Sequence, residues 1–172
     1  GEERYKDIVK NNPYQIAEDV TGIGFKTADE IAAKVGILPN SDYRIQAGII
    51  YVLQRASTEG HVYLPKDILL RKTAAILNID MDNITYNLNK LVVLKKVIIH
   101  TKNEEEQVYI AMYYYIEQNI AQMLARLNIK YSVSKEKVEE RISDIEENID
   151  IDYDDLQKQA VIEAAQNGLL VL

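Results

Sequence analysis

The sequence predicts a mainly α-helical chain that contains one small α+β unit. Three observations support this fold class. Apolar residues recur at three- and four-residue spacing along most of the 172 residues, which is typical of amphipathic helices. Two short apolar runs, at 97–100 and 107–110, flank a polar segment and predict two strands joined by a turn. A run of four apolar residues, Leu169–Leu172, predicts one further strand.

Composition limits the classes of function. The chain has no cysteine, which excludes disulfides and thiolate metal sites, and its two histidines are isolated in sequence, so no metal site is predicted. No run of 18 apolar residues occurs, so we expect a soluble, cytoplasmic protein. The net charge of −7 argues against a nucleic-acid partner for the chain as a whole, but residues 111–172 hold 12 acidic and 6 basic side chains. The acidity therefore lies in the last third.

The first 40 residues predict three short helices. Gly1–Lys10 resembles the end of one helix, and a second helix follows Asn12, a good N-cap, and Pro13, a favourable first-turn residue. A third begins at about Lys26, since Ala28 and the apolar residues after it keep helical spacing. Between the last two helices, a glycine-rich turn predicts a tight hairpin.

The hairpin carries the sharpest functional signal. A helix N-terminus presents unpaired N–H groups, and glycines let a phosphate oxygen approach them closely. Lys26 can add a positive charge and Thr27 a hydroxyl group. We therefore predict a phosphate-binding site formed by Thr21, Gly22, Ile23, Gly24, Lys26 and Thr27. The alternative is an ordinary corner between two helices with a glycine turn.

The spacing of Val20, Gly22, Ile23, Gly24 and Ala28 resembles the helix-hairpin-helix motif. That resemblance assigns residues 1–40 to a helix-hairpin-helix domain. It implies contact with the DNA backbone independent of base sequence. It also implies that a monovalent cation is held in some members by the carbonyl groups of the hairpin.

Residues 41–110 predict a winged-helix-like domain. Helices are expected from Ser41 or Asp42 to about Ser57, over Lys66–Leu77, and from Asp80 or Asp82 to about Lys95. An extended piece, His61–Leu64, precedes the second helix, and the two strands follow the third with a polar tip at Thr101–Glu106. Apolar faces are predicted on the first helix at Ile45, Ile49, Val52, Leu53 and Ala56, and on the second at Leu69, Thr73 and Ile76.

In DNA-binding winged helices the third helix enters a groove. Here that helix is predicted to expose Asn83, Asn87, Asn89 and Lys90. The wing tip carries Glu104–Glu106, which would repel phosphate. Two interpretations stay open, DNA contact by this helix and a spacer or docking domain of the same shape, and the second is favoured.

The last third predicts connecting helices over 111–150 and the start of another domain over 151–172. A helix over Ala111–Leu127 carries Tyr113–Tyr115, which we expect to pack against the wing rather than to stack on DNA bases. The next helix is capped by Ser134, with Val138, Ile142, Ile145 and Ile149 facing inward. The last is capped by Asp152 and lined by Leu156, Ala160, Val161 and Ala164. Leu169–Leu172 would then be the first, buried strand of an α/β domain that lies beyond this sequence.

Three stretches in this order, NPYQIAEDVTGIGFKTADEIAAKVGI, VYIAMYYYIEQNIAQMLARL and LQKQAVIEAAQNGLLVL, resemble the N-terminal region of RecD-like (RecD/TraA family) DNA helicases. The resemblance implies an ATP- and Mg²⁺-dependent 5′→3′ helicase in DNA repair or recombination. It also implies that this region has single-stranded or forked DNA and the motor domain of the helicase as its partners. It also implies that Gln157 helps to seat the adenine of ATP.

The phosphate-binding P-loop of that family, GGPGTGKT, would come next and does not occur in this chain. We therefore expect no ATPase activity from the chain itself. Two rivals stay open, a protein-docking module that never contacts DNA and a DNA-binding scaffold from an unrelated repair enzyme.

Overall fold

A computed structural model describes residues 12–15 and 24–171. These residues are mainly helical and include a three-stranded antiparallel sheet, which confirms the predicted fold class. The chain divides into two compact units, Gly1–Tyr115 and Ile116–Leu172. The first predicted helix, at residues 1–10, lies outside the described residues. Of the second, which follows Asn12 and Pro13, Tyr14 and Gln15 are described and helical, whereas residues 16–20 lie outside the described residues.

The first unit follows the predicted order of elements. The described elements are α1 (Phe25–Lys34), α2 (Asp42–Thr58), β1 (Tyr63–Pro65), α3 (Lys66–Leu77), α4 (Met81–Val93), β2 (Val97–Lys102), β3 (Glu105–Ile110) and the start of α5 (Ala111–Leu127). Local caps set two helix starts. The Oγ of Ser41 accepts a hydrogen bond from the backbone N–H of Arg44, and Asp80 accepts one from the N–H of Asn83.

The sheet has the strand order β1-β3-β2, with all pairs antiparallel. Val108 lies at its centre, paired with Leu64 on one side and Ile99 on the other. The strands β2 and β3 run further than predicted, so the polar tip expected at residues 101–106 shortens to a turn at Asn103 and Glu104. Both have positive φ, at 49° and 67°, as a two-residue hairpin turn requires.

The core of the first unit lies between α1, α2, α3, α4 and one face of the sheet. Every residue of the predicted apolar face of α2 is buried. On α3 the prediction is wrong by one residue, because Leu77 is buried whereas Ile76 is 40% exposed. Leu77 ends the helix one turn after Thr73, and this places its side chain over Gly48 of α2.

The second unit consists of the rest of α5, together with α6 (Lys135–Ile149) and α7 (Asp155–Gln166). A short antiparallel bridge pairs Lys130 with Asn167. Beside it, the N–H of Tyr131 donates to the carbonyl of Gln166 and the N–H of Gly168 donates to the carbonyl of Ile129, both at 2.8 Å. This bridge ties the segment after α5 to the segment after α7.

Two predictions for α6 and α7 are wrong. Asp154, not Asp152, caps α7, because Gln157 three residues later completes a capping box with it. The inward faces also differ. Ile142 and Ile162 are buried, whereas Ile145 and Ile149 of α6 and Leu156, Val161 and Ala164 of α7 are exposed. Apolar residues lie on more than one face of α7, and packing within the second unit buries the face that carries Ile162.

A strand is predicted at Leu169–Leu172. The described residues of this segment, 169–171, are not in strand conformation, and Val171 is 86% exposed. Strand conformation requires a neighbour to satisfy the backbone N–H and C=O groups, and in the described residues no strand lies beside this segment.

Among the described helices, none is both long and apolar enough to cross a membrane.

Candidate nucleic-acid interface

The N-terminus of α1 is open to solvent. Its N-cap is Gly24, which is exposed and supplies no side-chain cap, and Lys26 and Thr27 in the first turn are exposed as well. An uncapped first turn leaves backbone N–H groups without an intrahelical acceptor, and the helix dipole makes them an anion-binding position. In the described part of the chain, Lys26 has no ion pair or side-chain hydrogen bond.

Gly24 does not serve here as a left-handed turn residue. Its φ and ψ of −88° and 171° are extended backbone that any residue adopts. A Cβ placed on it would meet nothing within 4 Å. What the missing side chain provides is an unobstructed approach to the first turn of α1.

An aromatic stack fixes the start of α1. Phe25 is buried, and its ring lies between the rings of Tyr14 and Tyr51, with centroid distances of 5.9 and 5.0 Å. Ala28 and Ala32 bury the same face of α1 one and two turns later. Since Phe25 points inward, its neighbours Lys26 and Thr27 point outward.

A second anchor is an ionic network centred on Asp29. The hydroxyl of Tyr14 donates to Asp29 Oδ1 at 2.6 Å, and Arg44 donates to both carboxylate oxygens at 2.8 and 3.0 Å. Arg44 also donates to the backbone carbonyls of Pro39 and Leu77, each at 3.0 Å. The network thus ties Tyr14, α1, α2 and the end of α3 together.

The network shifts the protonation equilibria of its members. Partial burial opposes ionisation of Asp29, but hydrogen bonds from Arg44 and Tyr14 outweigh it and hold the pKa of Asp29 below its ordinary value. Burial, together with the hydrogen bond to Asp29, raises the pKa of Tyr14 far above its ordinary value. The carboxylate is therefore charged and the phenol neutral over the physiological range.

The predicted phosphate site is thus described in part. The structure places Gly24, Lys26 and Thr27 together at one exposed helix end. Thr21, Gly22 and Ile23, and with them the predicted cation-binding carbonyls of the hairpin, lie outside the described residues. Sequence reasoning missed Asp29 and Arg44, which hold α1 in place. They are 15 residues apart, so no local pattern links them.

The predicted exposed face of α4 needs a correction. Asn87 is buried, not exposed, because it accepts a hydrogen bond from Gln46 of α2 at 3.0 Å and donates to the carbonyl of Asn83. Lys90 forms an ion pair with Asp42 at 2.5 Å and lies 4.3 Å above the ring of Tyr86. This helix therefore presents a lysine whose charge is already paired, which weakens the DNA-contact interpretation.

The tyrosine run packs against the wing, as predicted. The ring of Tyr114 lies 5.3 Å from that of Tyr109 on β3 and 5.8 Å from that of His100 on β2. The hydroxyl of Tyr113 lies 3.4 Å from Ser57 Oγ of α2. Tyr115 alone of the three is exposed. The three side chains point in different directions and form no continuous stacking platform.

Gln157 belongs to the capping box at the start of α7. Its side-chain Oε1 accepts a hydrogen bond from the N–H of Asp154 at 3.1 Å, and its own N–H donates to Asp154 Oδ1 at 2.9 Å. Within the residues described, no group of three or more His, Asp or Glu side chains lies close enough to hold a metal ion.

The first part of the chain matches a known protein family. Residues 2–63 match the family described as the ATP-dependent RecD2 DNA helicase HHH domain, where HHH denotes helix-hairpin-helix. The matched stretch covers the predicted hairpin, α1, α2 and the first residue of β1. It includes every residue of the candidate phosphate site and both members of the Asp29–Arg44 pair.

Proposed function

We propose that residues 2–63, which match the family of RecD2 helix-hairpin-helix domains, bind the DNA backbone without regard to base sequence. The observation that carries the proposal is the exposed, uncapped start of α1 inside the matched stretch. Phosphate oxygens would accept hydrogen bonds from the N–H groups of its first turn. Lys26 would supply a positive charge and Thr27 a hydroxyl donor. Thr21, Gly22 and Ile23 are assigned the same role by the motif.

The rigid surroundings of α1 support this function. Binding is strongest when the groups that contact a ligand are held in position beforehand. The Phe25 stack and the Asp29 network hold the first turn of α1 against α2. Since neither uses Lys26 or Thr27, both side chains remain available to DNA.

We further propose that the chain is an accessory region of a cytoplasmic, ATP-dependent 5′→3′ DNA helicase that acts in repair or recombination. What supports this is the family description, which names a helicase, and the order of the three resembling stretches. ATP and Mg²⁺ would be bound by the motor domain. Gln157 would leave its capping box with Asp154 to contact the adenine.

Fluorescence anisotropy with single-stranded, duplex and forked DNA at low salt tests the backbone-binding proposal. Lys26→Gln removes the cation at the start of α1, and Lys34→Gln removes an exposed lysine at the other end of the same helix. If Lys26 contacts a phosphate, Lys26→Gln weakens binding and reduces the salt slope by about 0.7–0.9, whereas Lys34→Gln leaves both unchanged. Equal affinities for Lys26→Gln and the unaltered chain would refute the assignment.

A second candidate function is docking of a protein partner or of the motor domain. The exposed surface of α4 and the residue after it favours it, since Tyr86, Val93 and Leu94 are 57%, 81% and 59% exposed. Exposed apolar side chains grouped on one element are typical of protein contact surfaces. Under this function alone, DNA affinity would be absent at low salt for the unaltered chain.

A further inference from the structure

A groove lies directly beside the start of α1. Its volume is about 340 Å³, and among the described residues it runs between Gly24 and Phe25 on one side and α2 on the other. The α2 side is formed by Tyr51, Gln54, Arg55 and Thr58. A volume of this size falls in the lower range of small-ligand sites, roughly 300–1,000 Å³.

One wall of the groove is aromatic and rigid. Tyr51 is partly exposed, and its ring packs on Phe25 at an interplanar angle of 22°, while Phe25 in turn packs on Tyr14. The ring of Tyr51 is therefore held in a fixed plane by two further rings behind it. Aromatic side chains of this kind bind unpaired bases by stacking, without preference for base identity.

The same groove contains an available cation. The side chain of Arg55 is 60% exposed, and its ion-pair partner in the described residues is Glu59, at 3.8 Å on the next turn of α2. An exposed pair with this spacing contributes little free energy, so a phosphate can replace the carboxylate. Gln54, also exposed, adds an amide group one position before Arg55.

The positive charge continues past this groove. Arg55 also lines a second groove, which it shares with Glu59 of α2 and Lys72 of α3. Lys72 is exposed and has no ion pair with any other described residue. Two cationic side chains, Arg55 of α2 and Lys72 of α3, therefore line this second groove, together with the acidic Glu59.

We propose that the groove holds one unpaired nucleotide of a DNA strand, with its base against Tyr51 and a phosphate at Arg55. The inference rests on the proposed function, because the start of α1 would bind the adjacent phosphate of the same strand. It adds a substrate class, since a base inside a duplex is stacked on its neighbours and cannot reach Tyr51. The region then binds single-stranded DNA in preference to duplex.

The first test compares two matched arginines. Arg55 and Arg71 are both exposed and each pairs with an acidic residue one helical turn away, but Arg71 lines neither groove. Affinity for a fluorescent oligothymidine is measured across a range of salt concentrations for Arg55→Gln, Arg71→Gln and Lys26→Gln. Arg55→Gln should weaken binding and make the salt slope shallower by about 0.7, whereas Arg71→Gln should change neither.

The outcomes separate this inference from the proposed function. Loss of affinity in Lys26→Gln but not in Arg55→Gln would overturn the groove and leave the hairpin site intact. Loss in Arg55→Gln but not in Lys26→Gln would support the groove and overturn the hairpin site. An unaltered chain that binds duplex as tightly as oligothymidine would contradict the assignment of an unpaired nucleotide.

A photochemical test locates the base itself. An oligothymidine carrying 5-iododeoxyuridine crosslinks on irradiation to an aromatic side chain that stacks on the modified base. The proposal places the crosslink in the tryptic peptide 45–55, at Tyr51. Crosslinks found only at Tyr86 or Tyr115, which are exposed elsewhere on the chain, would overturn it.

Discussion

Asp29 connects α1 to Tyr14 and α2 through charge-assisted hydrogen bonds. Its carboxylate receives hydrogen bonds from Tyr14 and Arg44, and its side chain is 25% exposed. Asp29→Asn removes the charge while it keeps the shape. It should lower the free energy of unfolding by about 2 kcal/mol, because charge-assisted hydrogen bonds are lost and Arg44 stays partly buried. Urea denaturation at neutral pH measures the change.

The matched control is Asp67→Asn, which breaks an exposed ion pair with Arg71 on α3. Exposed pairs of this kind contribute at most about 1 kcal/mol, and often much less. A loss of stability in Asp29→Asn no larger than that in Asp67→Asn would show that the network does not hold α1.

The depressed pKa of Asp29 also predicts a dependence of stability on pH. A carboxyl whose pKa is lower in the folded state contributes stability above its unfolded pKa and loses it as the pH falls through the folded pKa. The unaltered chain should therefore lose stability as the pH falls below about 5, and Asp29→Asn should lose less. Parallel curves of unfolding free energy against pH would contradict this assignment.

Asn87 shows how a polar residue on a helix can be misread. The sequence places it beside Asn83 and Asn89 on a face that appeared suited to DNA, but it is buried and bonded to Gln46. Asn87→Ala should cost about 1–3 kcal/mol, since Gln46 loses its acceptor, and Asn89→Ala less than about 0.5 kcal/mol. Thermal unfolding of both variants checks this, and equal midpoints would contradict it.

At the scale of helices and strands, the helix starts that depend on local capping could be predicted from the sequence. Ser134 caps the helix that the sequence assigned to it, and Ser41 and Asp80 cap theirs, where the sequence left Asp42 and Asp82 open as alternatives. Such starts are predictable because a cap acts within three residues. The inward face of α7 was not predictable. Leu156, Val161 and Ile162 are all apolar, and only packing against the rest of the second unit decides that Ile162 is buried.

Gly168 is required by the bridge that closes the second unit. A Cβ on this residue would lie 2.2 Å from the backbone carbonyl oxygen of Leu127, a contact that no rotamer change relieves. Gly168→Ala should force the strands of the bridge apart. Amide hydrogen exchange should become faster at Tyr131 and at residue 168, which donate across the bridge.

The amide of Val108 in the sheet of the first unit serves as an internal reference, because it lies outside this bridge. Its exchange rate should stay unchanged in Gly168→Ala. Retained protection of Tyr131 in the variant would mean that the close approach of Gly168 to Leu127 is not needed.

For the whole molecule, the sequence predicted the phosphate site at the start of α1 but not the groove beside it. The glycine pattern pointed to the start of α1, since a motif is a local feature. The groove depends on Tyr51 and Arg55 of α2 meeting Gly24, which are about 30 residues apart in sequence and are brought together only by folding. The net charge of −7 is equally uninformative on its own, because electrostatic attraction depends on the local distribution of charge.

DNA binding at the start of α1 is the property on which the proposed function depends. Nuclear magnetic resonance of the ¹⁵N-labelled chain tests it directly, because backbone amides that donate to phosphate shift when DNA is added. We expect the amides of Gly24, Lys26 and Thr27 to shift most among the described residues, with smaller changes along α2. Shifts confined to α4, or to α6 and α7, or no shift at low salt, would contradict it.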